Sequence, residues 1–140
     1  MVPTLSVCMR WGVPKSISQT WFSINHKWIF SMVMTVSFGL LFNPMMIVLP
    51  EIWQWLGFIT VAGGILIGFA PNLNDELEEK VHMTGAVIIG AGSQGIVILL
   101  NPIILLLWIL WLLFIQRKER VFIAEMIGGI CLYISLLIVN

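Results

Sequence analysis

The stretch VHMTGAVIIGAGSQGIVILLNPIILLLWILWLLFIQ, Val81–Gln116, decides the fold. It runs for 36 residues without a charge. As one helix it would be about 54 Å long, nearly twice the ~30 Å hydrocarbon thickness of a bilayer. Asn101–Pro102 lies inside it. Proline lacks a backbone donor and pushes the preceding residue out of the helical region, so the dipeptide reads as a tight turn. The stretch therefore divides into His82–Leu100 and Pro102–Gln116, the second piece short and borrowing from its flanks.

Outward from this hairpin lie three more apolar runs, Trp28–Pro50 and Ile52–Asn74 without a charge and Val121–Asn140 with Glu125 as its one charged residue. Each approaches the roughly 20 residues that a spanning helix needs. The expected fold class is all-α: an integral membrane bundle of five transmembrane helices over about 28–49, 52–70, 82–100, 102–116 and 121–139. The basic residues orient it. With the N-terminus inside, Arg10, Lys15, Lys27, Lys80, Arg117, Lys118 and Arg120 all fall in cytoplasmic segments, and the outer segments 43–51 and 101–102 hold none. This is the positive-inside distribution, and it places the C-terminus outside. A four-helix count would put Arg117–Arg120 opposite Arg10, Lys15 and Lys27. Trp28 at the inner boundary, and Trp53 and Trp55 at the outer one, fit aromatic belts.

Composition agrees. Of 140 residues, 59% are hydrophobic and 10% charged; an average soluble domain has about 45–50% and about 25%. Mean hydropathy is +1.01. Seven basic residues balance seven acidic ones, so no basic field exists to attract nucleic acid. Cys8 and Cys131 are far apart, and Cys131 lies in an apolar run, which argues against a disulfide framework. Pro3, Arg10 and Pro14 break the first fifteen residues, so no cleaved signal peptide is expected. Residues 1–27 read as a cytoplasmic segment and 28–140 as one membrane domain. Within the segment, PKSISQTWFSINH (14–26) places Ile17, Trp21 and Ile24 on one helical face, as in a helix lying in the interface; the plainer alternative is an early start of the first span.

Gly90-Ala91-Gly92-Ser93-Gln94-Gly95 matches G-x-G-x-x-G. A dinucleotide fold needs a βαβ unit and an acid about 20 residues on. Neither is present, so no dinucleotide is expected despite Gly90, Gly92 and Gly95. The glycines read instead as a small-residue helix face. Ala86 and Gly90 are four apart, as are Gly64 and Gly68, and such faces let backbones approach closely in lipid. Helices two and three are expected to pack there, or one of them to pack across an oligomer interface. Ser93 and Gln94 fall within helix three; an amide in hydrocarbon needs partners, either as interhelical glue or along a polar path.

The polar segment Asn74–His82 reads as a helix start, with Asp75, Glu78 and His82 on one face and Glu76 and Lys80 as an i,i+4 pair. Glu125 carries the most functional weight. Counted from Arg120 it lies about 7.5 Å into the membrane, and an intramembrane carboxylate is a functional-site hypothesis by default. That depth matches His82 and His26, so Glu125, His82, His26, Asp75 and Glu78 form a candidate polar or ion site. Two histidines with carboxylates suit a metal or a proton relay; structural pairing of Glu125 with Lys27 or Arg120 is the plainer reading. No H-E-x-x-H or C-x-x-C spacing supports a metal, no cofactor is expected, and no Ser/His/Asp order suggests a hydrolase.

Three stretches carry a resemblance: Gly12–Trp21; Gly68-Phe69-Ala70-Pro71 running into Glu78–Ala86; and Phe122-Ile123-Ala124-Glu125. Together they resemble small uncharacterised polytopic membrane proteins of Bacteroides-type gut bacteria and their phages. The resemblance covers most of the chain and implies a multi-helix topology; it brings no activity, cofactor or site residue. The expectation is then a multi-pass membrane protein that works by association, as scaffold, effector or pore-forming subunit, and is not an enzyme. Proton- or ion-coupled transport through Glu125 and His82 is the first alternative, and a metal-dependent intramembrane enzyme the second. The expected partners are the lipid bilayer and further copies of the chain. The absence of alternating strand patterns points to a bacterial inner membrane.

Overall fold

The computed structural model describes residues 27–139 except 74, 114, 117 and 118. The expectations for 14–26 and for His26 lie outside the described residues, and so does the side chain of Asp75. The described chain is all-α, with five helices: α1 Lys27–Val48, α2 Gln54–Phe69, α3 Asp75–Leu100, α4 Trp108–Leu112 and α5 Arg120–Val139. Short 3-10 turns, Glu51–Trp53 and Ala70–Asn72, follow α1 and α2, and a longer one, Pro102–Leu107, leads into α4. Four helical stretches are long and apolar enough to cross a membrane: Trp28–Val48, Glu51–Asn72, Leu77–Leu100 and Arg120–Val139.

Prolines set the boundaries. Pro50 has no N–H to offer the Met46 carbonyl one turn earlier. The side-chain amide of Gln54 takes that place, its Nε2 donating to Met46 O at 3.1 Å. The chain then turns on the Trp53 N–H to Pro50 O bond of 2.8 Å. At the far end of α2, Pro71 stops the helix and Leu73 N donates to Ala70 O at 3.0 Å. At Asn101 the backbone leaves the helix, with φ −158° and ψ 79°, as expected of a residue before proline.

Between Pro102 and Leu112 the chain is helical for eleven residues. Six are wound as 3-10 and five as α, so the rod is about 20 Å long. The expected span over 102–116 is thus a helical segment shorter than the bilayer core. Starting on Pro102, the segment takes the tighter winding, and its regular helix ends at Leu112.

The bundle presents apolar side chains outward as well as inward. Trp28, Met32, Val36 and Leu40 recur every four residues on α1 and are all exposed, as are Phe58, Val87, Ile98, Tyr133 and Leu137 on the other long helices. In water this surface would be a severe aggregation liability; against lipid tails it is solvated. The interior is an apolar core, with Met45, Leu49, Ile96, Val97, Ile127 and Leu132 buried in it, and a few hydroxyl side chains are set among them. Ser31, Thr60, Ser93 and Ser135 are the buried polar residues among those described. Each donates to a carbonyl: Ser31 to Gly68 O at 2.6 Å, Thr60 to Leu56 O at 2.7 Å, Ser93 to Gly90 O at 3.2 Å and Ser135 to Cys131 O at 2.8 Å. In hydrocarbon, which offers no competing partner, such groups must be satisfied within the protein.

Glycines bring the first three helices together. A Cβ built on Gly63 would meet the Ile89 backbone nitrogen at 2.8 Å, and one on Gly85 would meet Gly63 O at 2.8 Å. The α2–α3 crossing is therefore backbone against backbone. Gly92 lies under the Thr60 side chain. Gly64 and Gly68 turn the other way, onto Phe38 and Met34 of α1. The expected pairing of Gly64 and Gly68 with Ala86 and Gly90 across α2–α3 is corrected accordingly: neighbouring glycines on α2 point to opposite partners, because 100° per residue separates their faces. Gly90 is exposed, with nothing within 4 Å of a Cβ built there.

Candidate functional site: a polar centre in the bundle

The α3–α5 contact is built on Gln94. Its Oε1 accepts the indole N–H of Trp108 at 2.9 Å. Its Nε2 donates to Gly128 O at 3.4 Å and to Ser93 Oγ at 3.3 Å. The Ser93 hydroxyl donates to Gly90 O at 3.2 Å. An amide has two donor hydrogens and an acceptor oxygen, and here all three sites are engaged. One residue thereby ties α3, α4 and α5 together. Gly128 permits the approach: a Cβ there would lie 3.5 Å from Gln94 Nε2 and 3.7 Å from the Trp108 ring.

Trp108 was not singled out from the sequence. The signal was present, since an indole N–H inside an apolar run must find an acceptor. Trp111 behaves likewise, donating to Arg120 O at 2.9 Å. The Cys131 thiol contributes a weaker bond to Ile104 O at 3.7 Å.

These bonds set a register. Gln94 is six residues before Leu100, about 9 Å along the axis. Trp108 is six residues past Pro102, about 12 Å down at the 3-10 rise. Gly128 is level with Gln94, Cys131 with Ile104, and Arg120 with the end of α4. The α4 segment thus runs antiparallel to α3, and α5 returns parallel to α3.

The register separates the acid from the histidine. Glu125 lies three residues before Gly128, about 4.5 Å, whereas His82 lies twelve before Gln94, about 18 Å. Counted by helix rise from the Gln94–Gly128 bond, the two differ by about 13 Å along the bundle. The short α4 places the start of α5 beside Trp111, so Arg120 is not level with the first turn of α3. Glu125 is half-buried and has a hydrogen-bonding or electrostatic partner. His82 is half-buried near the start of α3, and Glu78, one turn earlier, acts on it electrostatically. Among the described residues no three His, Cys, Asp or Glu side chains gather as a metal site.

Comparison of the chain with protein-family models, with curated proteins and with solved structures finds no match.

Proposed function

We propose that this chain is a non-enzymatic inner-membrane protein, N-terminus in and C-terminus out, that works by associating with further copies of itself in the bilayer. The topology rests on the distribution of Lys and Arg, with Pro102–Gln116 as a short fourth membrane segment. Reporter fusions after residue 140 and within 71–81 should show opposite sidedness; equal sidedness would refute it.

One observation carries the association. Gly90 and Ala91 sit exposed on α3, with open space over Gly90, while Gly63 and Gly85 make the α2–α3 crossing. Small residues on a lipid-facing side let a second helix come close. Gly90→Cys in native membranes should cross-link between copies, and Gly90→Leu should abolish the oligomer without loss of the folded monomer. A protein that stays monomeric by single-molecule photobleaching at native density ends the reading.

Proton or ion handling is the second reading, on the strength of Glu125 alone. It is a half-buried carboxylate about 13 Å from the level of Leu100. Flux in reconstituted vesicles that is lost in Glu125→Gln, with insertion intact, would favour it over association.

A further inference from the structure

The outward face of α1 carries polar groups that the chain does not match. Asn43 is exposed and lies five residues before the end of α1, inside the apolar stretch Trp28–Val48. Among the described residues its side-chain amide has no hydrogen-bond partner. The next residue, Pro44, sits within the helix and has no N–H, so the Leu40 carbonyl one turn earlier loses its helical donor. Leu40 is itself 73% exposed. The buried hydroxyls of the bundle and Gln94 all find partners inside it. Asn43 does not, and a group of this kind in hydrocarbon must be met by protein.

The surroundings of Asn43 fit a second helix. Met32, Val36, Gly39 and Asn43 are all exposed. They stand four, three and four residues apart, the repeat of a coiled-coil seam, in which a single polar residue fixes register and the number of strands. A Cβ built on Gly39 meets nothing within 4 Å, so another backbone can come close one turn from the amide.

Chemistry and symmetry name the occupant. An amide is both donor and acceptor, so one asparagine matches another. Copies inserted the same way are related by an axis along the bilayer normal, whatever the tilt of α1. A two-fold about that axis sets each residue at the depth of its own counterpart. A second copy therefore supplies the matching amide at the required depth, which an unrelated helix would do only by coincidence.

We propose that α1 pairs with α1 of a second copy along Met32, Val36, Gly39 and Asn43, the two Asn43 amides hydrogen-bonding to each other across the two-fold axis. Each Nδ2 donates to the other Oδ1. The contact uses a different helix from Gly90 on α3, and it rests on the membrane-spanning reading alone.

The test uses purified full-length protein carrying Cys8→Ala and Cys131→Ala, in vesicles of phosphatidylcholine and phosphatidylglycerol. Single cysteines are placed at Val36→Cys, on the seam, or at Ser37→Cys, exposed but turned 100° from Val36. On oxidation the disulfide-linked pair should form several-fold more at 36 than at 37. In Asn43→Leu, which keeps the bulk without the amide, the pairing constant read by energy transfer on dilution with lipid should fall about tenfold. Asn43→Gln, which keeps an amide, should retain pairing to within about threefold. Equal yields at 36 and 37 overturn the seam. Pairing unchanged in Asn43→Leu overturns the role of the amide. A Val36→Cys protein that cross-links only to a protein of another size, and only in native membranes, gives the face to a different partner and overturns the self-pairing. Gly90→Cys is oxidised in the same vesicles: cross-linking at 90 without pairing at 36 overturns the α1 contact alone, and pairing at 36 without cross-linking at 90 supports it and removes the α3 contact.

Discussion

The α1–α3 unit and the α4–α5 hairpin solve one problem by different physics. Lipid tails are as apolar as leucine, so burying leucines holds no helices together in a bilayer. In the first unit, glycines allow close approach: Gly63 and Gly85 bring backbones into contact, while Gly64 receives the Phe38 ring and Gly68 the Met34 side chain. In the second, side-chain hydrogen bonds tie the segments together: Trp108 to Gln94, Gln94 to Gly128, Trp111 to Arg120 and Cys131 to Ile104. Close packing tolerates no added atom; a hydrogen-bonded contact tolerates bulk but not the loss of a donor or acceptor. Substitutions of opposite kinds should therefore hurt opposite halves.

The largest effect is expected at Gly63→Leu. The first atom met by any Cβ there is backbone, which cannot rotate aside, so the overpacking cost should reach about 3 kcal/mol. Unfolding in mild detergent, followed by tryptophan fluorescence, would measure it. A loss below about 1 kcal/mol would mean that α2 and α3 are not packed backbone to backbone.

Next comes Gln94→Leu. It preserves bulk but strands the Trp108 N–H, and the expected loss is about 1–2 kcal/mol. Protection from hydrogen exchange should fall in 104–112 and 120–131 while 54–69 is unchanged. A double-mutant cycle with Trp108→Phe should return a coupling of about 1 kcal/mol; zero coupling would break the contrast between the halves.

Ser31→Ala tests whether the first unit also leans on hydrogen bonds. Ser31 donates to Gly68 O and accepts from Asn72 Nδ2. Its loss should cost about 0.5–1 kcal/mol, read in the same assay. A loss as large as that of Gln94→Leu would blur the division.

The smallest effect belongs to Gly128→Ala. The new methyl would rest 3.5 Å from Gln94 Nε2, an ordinary contact. With the gain in helix propensity over glycine, up to about 1 kcal/mol, the change should be neutral or mildly stabilising. A loss above about 1 kcal/mol would show that this half, too, is packed to its limit.

Much of this was legible in the chain. The break at Asn101–Pro102 follows from proline chemistry, which acts locally and needs no partner. The need of Ser93 and Gln94 for partners follows from the solvent, since hydrocarbon leaves an amide unsatisfied. Which helix each glycine face would meet was not legible. Gly64 and Gly68 have the spacing of a packing face, but spacing names no partner, and α1 rather than α3 covers them. The height of Glu125 relative to α3 was not legible for a related reason. Counting from Arg120 assumes that the basic turn lies level with the first turn of α3, and nothing in the sequence says that the helical segment after Pro102 is only about 20 Å long.

By itself, then, the sequence determined the class of object: apolar runs of spanning length, broken by prolines, with every cation in alternate connections. Those properties depend on each residue's own transfer energy and backbone preference. Only the tertiary structure decided that Gly63 crosses Gly85, that Trp108 finds Gln94, and that α5 stands offset from α3. Each of these is a relation between residues distant in the chain, set by the angle at which helices meet and by how much of one segment is wound as 3-10.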